Sequence, residues 1–282
     1  MAQSGISKSF KYFTFSENVL LVIASAADRI FSLVPLYIYR NRNFYITAIA
    51  HKFSISTNVE QVTLSKENYP SFKLRKKSSD LLVFNQIWME EEYAYTVHLI
   101  LQKNIKVKTI LDAGANIGLT ALYLNMFFKE AEILCIEPDD DNFLQLQKNI
   151  EINNITSTTL IKGGVWSQNE LLEMDYSYRD GLDWSRRLKR AETGEGAIKA
   201  YSIHNLMEKM GWATIDFLKI DVEGAEEIIF GEGRNLQFLE NVKVFTIEIH
   251  DKEKMGHQII KLLLHENFEI FMSGELLIGI KV

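Results

Sequence analysis

Apolar residues in the second half of the chain form short runs that alternate with longer amphipathic stretches. Several runs are rich in branched residues and predict β-strands, namely TILDA, EILCIE, STTLIKG, IDFLKID and VKVFTIEIH. The spacing between them predicts helices in LTALYLNMFF, after Asp139, and near residues 202–210, 224–238 and 255–266. Because strands and helices alternate, we expect a parallel sheet that is covered by helices on both faces.

The C-terminal sequence FEIFMSGELLIGIKV departs from this alternation. Its two β-rich runs are joined at Ser273 and Gly274, which predicts an antiparallel hairpin. The expected fold class is therefore α/β. Its sheet should be Rossmann-like and mostly parallel, with a C-terminal antiparallel hairpin, and an N-terminal extension should precede it.

We expect residues 1–50 to form a helical N-terminal extension, because NVLLVIASAADRIFSLVPLYIY is mostly apolar. Asp28 and Arg29 interrupt the apolar run and Pro35 follows it, which disfavours an unbroken membrane span. Residues 18–40 are expected either to pack on the domain or on a second copy of the chain, or to lie at a membrane surface.

Residues 51–104 predict a subdomain packed on the core, with strands in SFKLRKK and DLLVF and then a helix that ends near residue 103. The main domain, residues 105–282, contains an insertion at 170–200 that is too long for an ordinary connection between strands. Trp184 and the nearby tyrosines and arginines favour a lid over a substrate, and the alternative is a floppy surface loop.

Composition narrows the expected partners and location. The chain has 282 residues and a net charge of −6, and it lacks a run of Lys and Arg that could follow a phosphate backbone. Nucleic acid is therefore not an expected partner. The single cysteine, Cys135, lies in an apolar run and cannot form an internal disulfide, which fits a reducing, cytoplasmic location.

A glycine turn follows the first strand of the main domain, in LDAGANIGLTALYL. Gly114 and Gly118 allow the backbone to approach a ligand closely, but Asn116 and Leu119 occupy positions where a dinucleotide-binding turn has glycine. Glu137 ends the second strand, at the spacing of a carboxylate that accepts hydrogen bonds from ribose hydroxyls. A ribose without a pyrophosphate fits this pattern, and S-adenosylmethionine is such a ligand.

With these motifs the sequence resembles the class I S-adenosylmethionine-dependent methyltransferases, and specifically the FkbM family. The resemblance rests on ILDAGANIGLTALYL, CIEPDDDNFLQLQKNI, IDFLKIDVEGAEEIIFGEG and VFTIEIH, and the KIDVEGAE string is the most specific of these. Two stretches depart from the family: YSIHNL stands where a Leu-Asp pair is usual, and the first 50 residues match nothing in it.

The resemblance implies methyl transfer to a hydroxyl group of a sugar, a glycan or a small natural product. It assigns cofactor binding to the glycine turn, its strand, Glu137 and the end of the third strand: Asp112, Gly114, Asn116, Gly118, Glu137 and Val165. The substrate side is assigned to Glu223 and Trp184.

Strand alternation supplies candidates for the chemical step. It places Lys219, Asp221 and Glu223 on one face of a strand, and Thr246, Glu248 and His250 on the same face of the neighbouring strand. We expect Asp221, Glu248 and His250 to be catalytic, either as a base that takes the hydroxyl proton or as ligands of Mg²⁺ or Mn²⁺. The metal-free base is favoured. Lys219 is expected to pair with Glu248 or Asp221, or to act directly.

Two functions of other classes stay open on the sequence. A nicotinamide-dependent oxidoreductase would share the fold, although Asn116 and Leu119 disfavour its pyrophosphate. A catalytically inactive methyltransferase-like binding protein would keep the fold and bind the cofactor weakly.

Overall fold

The computed structural model describes residues 36–175, 187–191, 197–222, 225–231, 233–249 and 255–282. The chain divides between Glu91 and Glu92 into two compact units. No helix in the described part of the chain is long and apolar enough to cross a membrane.

The first unit contains helix α1 (Leu36–Ala50) and a three-stranded antiparallel sheet with the order β1-β2-β3. Its strands are β1 (Ser54–Thr57), β2 (Gln61–Ser65) and β3 (Phe72–Arg75). Helix α2 (Asp80–Phe84) follows and continues into a π-helical turn at Asn85–Met89. Edge-to-face aromatic contacts build the core, with ring centroids 5.0 Å apart for Phe72 and Phe84 and 4.6 Å apart for Phe72 and Trp88.

The prediction of a strand in DLLVF is wrong, because these residues form α2. The buried Asp80 carboxylate accepts hydrogen bonds from the Arg75 backbone at 2.7 Å and from its guanidinium group at 2.7 Å, which fixes the turn between β3 and α2. Leu81 and Phe84 then face the core one helical turn apart. A run of four apolar residues fits a buried helix as well as a strand, so periodicity alone could not separate the two.

The second unit begins with helix α3 (Ala94–Gln102) and contains the predicted alternating strands and helices. The first half gives β4 (Thr109–Ala113), α4 (Leu119–Phe127), β5 (Glu132–Glu137), α5 (Asp140–Ile152) and β6 (Thr158–Lys162). Four strands follow at the end of this half and in the insertion: β7 (Gly164–Val165), β8 (Leu171–Asp175), β9 (Arg187–Arg190) and β10 (Ile198–Tyr201). The remainder gives α6 (Ile203–Met210), β11 (Ile215–Ile220), α7 (Glu226–Phe230), a 3₁₀ turn (Gln237–Asn241), β12 (Val242–Glu248), α8 (His257–His265), β13 (Phe268–Ser273) and β14 (Leu276–Lys281).

The central sheet has the strand order β13-β14-β12-β11-β4-β5-β6. Strands β6, β5, β4, β11 and β12 run parallel, and β14 pairs antiparallel with both β12 and β13. The mostly parallel sheet with a C-terminal hairpin is therefore confirmed. The order reverses between β4 and β11, and ligands of open α/β sheets bind at such a point, beyond the carboxyl ends of the strands.

Two details of this sheet differ from the sequence predictions. The hairpin turn consists of Gly274 and Glu275, because Ser273 pairs with Leu276, and Gly274 takes the left-handed conformation with φ of 59°. The helix predicted at 224–238 ends at Phe230. Gly231 leaves the helical conformation there with ψ of 166°, and a Cβ atom on Gly231 would lie 2.4 Å from the Glu227 carbonyl oxygen, so the close approach at the helix end requires glycine.

The described part of the 170–200 insertion forms a second sheet with the order β7-β10-β8-β9. Strands β8 and β9 are an antiparallel hairpin in which Leu172 pairs with Arg190 and Met174 with Leu188. Strand β10 joins them to β7, which follows β6 directly. The insertion is thus attached at the carboxyl end of the central sheet.

Candidate functional site

A cavity opens beyond the carboxyl ends of β4, β5 and β11, with about 570 Å³ of empty space that includes its mouth. Its walls combine apolar side chains with a few polar groups: Gly114, Asn116, Ile136, Glu137, Pro138, Asp139, Asn142, Gly163, Gly164, Val165, Met174, Leu188, Asp221 and Val222.

The glycine turn forms one wall of this cavity. Gly114 has φ of 81°, and a Cβ atom at this position would lie 1.8 Å from the backbone oxygen of Asp221. Only glycine fits both the conformation and the contact. The amides of Gly114 and Ala115 both donate to the Ile136 carbonyl at 3.0 Å, so the turn is fixed against β5 as well.

Gly118 and Asp112, which were assigned to the cofactor, do not belong to the described residues that line the cavity. Gly118 has φ of 84°, and a Cβ atom there would lie 2.5 Å from Cδ1 of Leu146 on α5. The Asn149 side chain donates to the Ile117 carbonyl at 2.9 Å and holds α5 against the turn. Gly118 therefore allows α4 and α5 to pack closely, and it affects the cavity through this packing rather than by lining it.

Glu137 projects into the cavity from the end of β5 and is buried. Its Oε2 accepts the Asn116 amide at 2.8 Å, and its Oε1 accepts the Asp139 amide at 3.0 Å. Burial raises the pKa of Glu137 to about 7, although the two backbone amides oppose this shift. Each carboxylate oxygen has two acceptor positions, so Glu137 keeps the capacity to accept two ligand hydroxyls.

Helix α5 begins at the same wall. The Asp139 carboxylate caps it by accepting the amides of Asp141 and Asn142 at 3.0 Å and 2.9 Å. The chain thus turns from Glu137 directly into the capped helix, and Asp139 and Asn142 line the cavity beside Glu137. The acidic helix start that the sequence predicted is confirmed and lies at the site.

Lys219 lies behind the glycine turn, on β11, and is 3% exposed. Its ammonium group donates to the Gly114 carbonyl at 2.6 Å, and it lies 3.1 Å from Oδ1 of Asp112 and 3.5 Å from Oδ2 of Asp221. Burial alone would lower the pKa of Lys219, but its acidic neighbours raise that pKa well above its ordinary value, so the ammonium stays charged. Burial raises the pKa of Asp112, and Lys219 opposes this shift.

The expected pairing of Lys219 with Asp221 is therefore observed, and the pairing with Asp112 was missed. Asp112 and Lys219 are register partners on the adjacent strands β4 and β11. Directly paired residues of neighbouring strands point to the same face, so strand alternation could have revealed this contact.

Asp221 follows β11 and lines the cavity, with a side chain that is 31% exposed. Register pairs between β11 and β12 end at Ile220 with Ile247, so Asp221 and Glu248 come next on the two strands. Glu248 is half-buried and does not belong to the described lining residues. Among the described residues, no group of three His, Cys, Asp or Glu side chains could hold a metal ion.

Glu223, His250 and Trp184 lie outside the described residues. Of the suggested metal ligands Asp221, Glu248 and His250, the structure therefore describes only the first two. The roles assigned to Glu223, His250 and Trp184 stay predictions.

A sequence profile described as "Methyltransferase FkbM domain" matches residues 112–270, from the glycine turn to the first strand of the hairpin. This match covers more than half of the chain. The chain belongs to the FkbM family of methyltransferases.

Two relatives of the chain carry methyltransferase names. Methyltransferase sdnD of Sordaria araneosa is 26% identical over 191 residues, which cover 57% of this chain and 73% of the relative. Methyltransferase 1 of Beauveria bassiana (strain ARSEF 2860) is 25% identical over 156 residues, which cover 48% of this chain and 63% of the relative. A crystal structure of Methyltransferase FkbM from Methylobacillus flagellatus KT is similar with 15% identity and a TM-score of 0.45, over 62% of this chain and 44% of that chain.

This FkbM methyltransferase has lining residues that sequence reasoning did not find. Met174 and Leu188 reach the cavity from the β8–β9 hairpin. Gly163 and Gly164 precede Val165, and Cβ atoms there would lie 2.7 Å from the Lys199 carbonyl oxygen and 2.3 Å from Cδ1 of Leu188. The sequence signal that could have indicated these lining residues is the glycine pair after β6, because two glycines permit the insertion to pack closely against the cavity.

Proposed function

We propose that the chain is an S-adenosylmethionine-dependent O-methyltransferase that acts on a hydroxyl group of a sugar, a glycan or a small natural product. The observation that carries the cofactor proposal is the geometry of Glu137. Its carboxylate is held by two backbone amides at the cavity wall and retains two acceptor positions, which matches the paired hydroxyls of a ribose.

The glycine turn supports a ligand without a pyrophosphate. Four of its amides already donate within the protein: those of Gly114 and Ala115 to Ile136, that of Asn116 to Glu137, and that of Gly118 to Ala115. A dinucleotide requires free amides at this turn for its phosphates. The arrangement therefore favours S-adenosylmethionine over a nicotinamide cofactor, which disfavours the oxidoreductase alternative.

We assign the residues that would hold the cofactor as follows. Glu137 accepts from the ribose, and Ile136, Val165, Met174 and Leu188 offer apolar surface for the base. Gly114 and Asn116 line the adjoining wall. S-adenosylmethionine supplies an electrophilic methyl group on its sulfonium.

An alcohol acceptor needs a group that removes its proton or binds its oxygen. Asp221 lies at the cavity wall next to the glycine turn and is suited to this role, with Glu248 and His250 as the further members of the proposed set. They would act as a base, and Mg²⁺ or Mn²⁺ held by the same residues is the alternative. Glu223 and Trp184 are proposed for the acceptor side.

The proposed location and binding partners of this enzyme rest on the sequence. We propose a cytoplasmic location with a small-molecule or glycan acceptor and without a nucleic-acid partner. Residues 18–40, which include undescribed residues, are proposed to mediate either peripheral membrane association or self-association.

The test is incubation with methyl-labelled S-adenosylmethionine and a panel of saccharides, lipids and small alcohols, followed by mass spectrometry of the labelled product. The proposal expects a label on an oxygen atom that was a free hydroxyl. A label found on nitrogen or carbon would contradict O-methylation and leave the broader methyltransferase assignment intact.

A further inference from the structure

Lys219 contacts more groups than the neutralisation of one buried carboxylate requires. A single ion pair with Asp112 at 3.1 Å would already supply a counter-ion inside the sheet. The same ammonium group also donates to the Gly114 carbonyl at 2.6 Å and approaches the Asp221 carboxylate at 3.5 Å. Both of these additional partners belong to residues that line the cavity.

The backbone around these partners is tightly constrained. The Asp221 amide donates to the Ala113 carbonyl at 3.0 Å, and Gly114 lies so close to the Asp221 carbonyl that a methyl group could not fit between them. The glycine turn and the end of β11 thus form one corner of the cavity wall. The ammonium group is a side-chain contact that joins both parts of this corner.

We propose that Lys219 is a positioning residue for cofactor binding, which holds the Gly114 carbonyl and the Asp221 carboxylate in place at the cavity wall. This inference rests on the proposed cofactor. Lys219 does not itself line the cavity in the described residues, so it acts through its two partners. Without the ammonium, the Gly114 carbonyl loses a buried donor and the Asp221 carboxylate loses a cationic neighbour.

The decisive comparison separates positioning from simple charge neutralisation. Lys219→Met leaves Asp112 without its counter-ion, and this single variant is expected to be less stable than the parent. The double variant Asp112→Asn with Lys219→Met removes both charges of the pair. If neutralisation of Asp112 is the whole role of Lys219, the double variant recovers both stability and cofactor binding.

A control is available in the same sheet. Lys243 on β12 pairs with Asp216 on β11 at 2.7 Å, and neither residue lines the cavity in the described part of the chain. The Lys243 side chain is 47% exposed, against 4% for Lys219, so Lys243→Met controls for the loss of a lysine paired with a buried carboxylate at a distance from the site.

The experiment measures thermal unfolding and the calorimetric affinity for S-adenosylhomocysteine, the demethylated cofactor product, in the full chain. The double variant should be more stable than Lys219→Met, because Asp112 is no longer an unpaired charge, but it should bind at least about tenfold more weakly than the parent, the effect of losing a charged hydrogen bond. Lys243→Met should bind like the parent. A double variant with the parent's affinity, or one that fails to fold, would overturn the positioning role. Absence of binding by the parent itself would instead count against the proposed cofactor.

Discussion

Glu137 makes cofactor binding dependent on pH in a direction that the structure specifies. Its pKa is about 7 in the ligand-free protein, because burial disfavours the charged carboxylate. Ribose hydroxyls donate to the ionised form, so ligand and proton compete for the same group. The ionised fraction falls from about nine-tenths at pH 8 to about one-tenth at pH 6. Affinity for S-adenosylhomocysteine should therefore be about tenfold weaker at pH 6.

Glu137→Gln preserves the size of the side chain and removes the titration. Its single carbonyl oxygen cannot replace both oxygens that accept the Asn116 and Asp139 amides, and its NH₂ group must face one of these donors. We expect affinity at pH 8 to fall by about 2 kcal/mol, or roughly thirtyfold, as for the loss of hydrogen bonds to a charged acceptor. We expect little remaining change in affinity between pH 6 and pH 8.

The same shift affects stability without ligand. The Glu137 pKa rises from 4.5 to about 7 on folding, so its stabilising contribution is complete below about pH 4.5 and is lost as the pH rises through 7. A shift of this size corresponds to about 3 kcal/mol. Relative to the parent, Glu137→Gln should therefore gain about that much free energy of unfolding between pH 4.5 and pH 8.

Calorimetric titration and urea unfolding of parent and variant at several pH values measure both effects. The amino group of the ligand can also titrate, but it does so equally with parent and variant. Comparison of the two proteins therefore separates the contribution of Glu137 to the pH dependence of affinity from that of the ligand. The same pH dependence of affinity in parent and Glu137→Gln would refute the placement of a buried, ligand-contacting carboxylate at this wall.

Two further predictions concern the turn and the chemical step. Gly114→Ala should destabilise the second unit by about 4 kcal/mol or more and abolish cofactor binding, since its Cβ would meet the Asp221 oxygen at 1.8 Å. Gly211→Ala is the control: φ is 69° but nothing lies within 4 Å of the new Cβ, so a cost of only about 1 kcal/mol is expected in urea unfolding. Alanine at Glu248 or His250 should lower turnover roughly 100-fold with nearly unchanged cofactor affinity, whereas alanine at Asp221 should lower turnover as much and also weaken cofactor binding; parent-like turnover in all three would refute their catalytic role. Activity lost in EDTA and restored by Mg²⁺ would indicate the metal alternative.

The sheet was predictable because its central strands are buried on both faces. Strand β5 is therefore a nearly continuous apolar run, β4 and β11 are mainly apolar apart from Asp112, Asp216 and Lys219, and the alternation of these strands with helices specifies parallel pairing. Short segments were less predictable. DLLVF became a helix through the Arg75–Asp80 contact, which joins residues five positions apart and leaves no periodic signal.

The candidate site was predictable where one local motif positions it. Gly114, Asn116, Glu137 and Val165 all line the cavity, and each lies at or just beyond the carboxyl end of a strand. Met174 and Leu188 were missed because their place depends on how the β8–β9 hairpin packs on β10 and β7, which is tertiary information. The local sequence indicated a long insertion with aromatic and arginine residues, but it did not indicate which side chains would face the cavity.

The central claim is that the cavity binds S-adenosylmethionine through Glu137 and the glycine turn. The most direct measurement is a calorimetric titration of the parent protein at pH 8 with S-adenosylmethionine, S-adenosylhomocysteine and NADH. The account predicts binding of the first two with one site per chain and no binding of NADH. Binding of NADH without binding of either sulfur compound would contradict it.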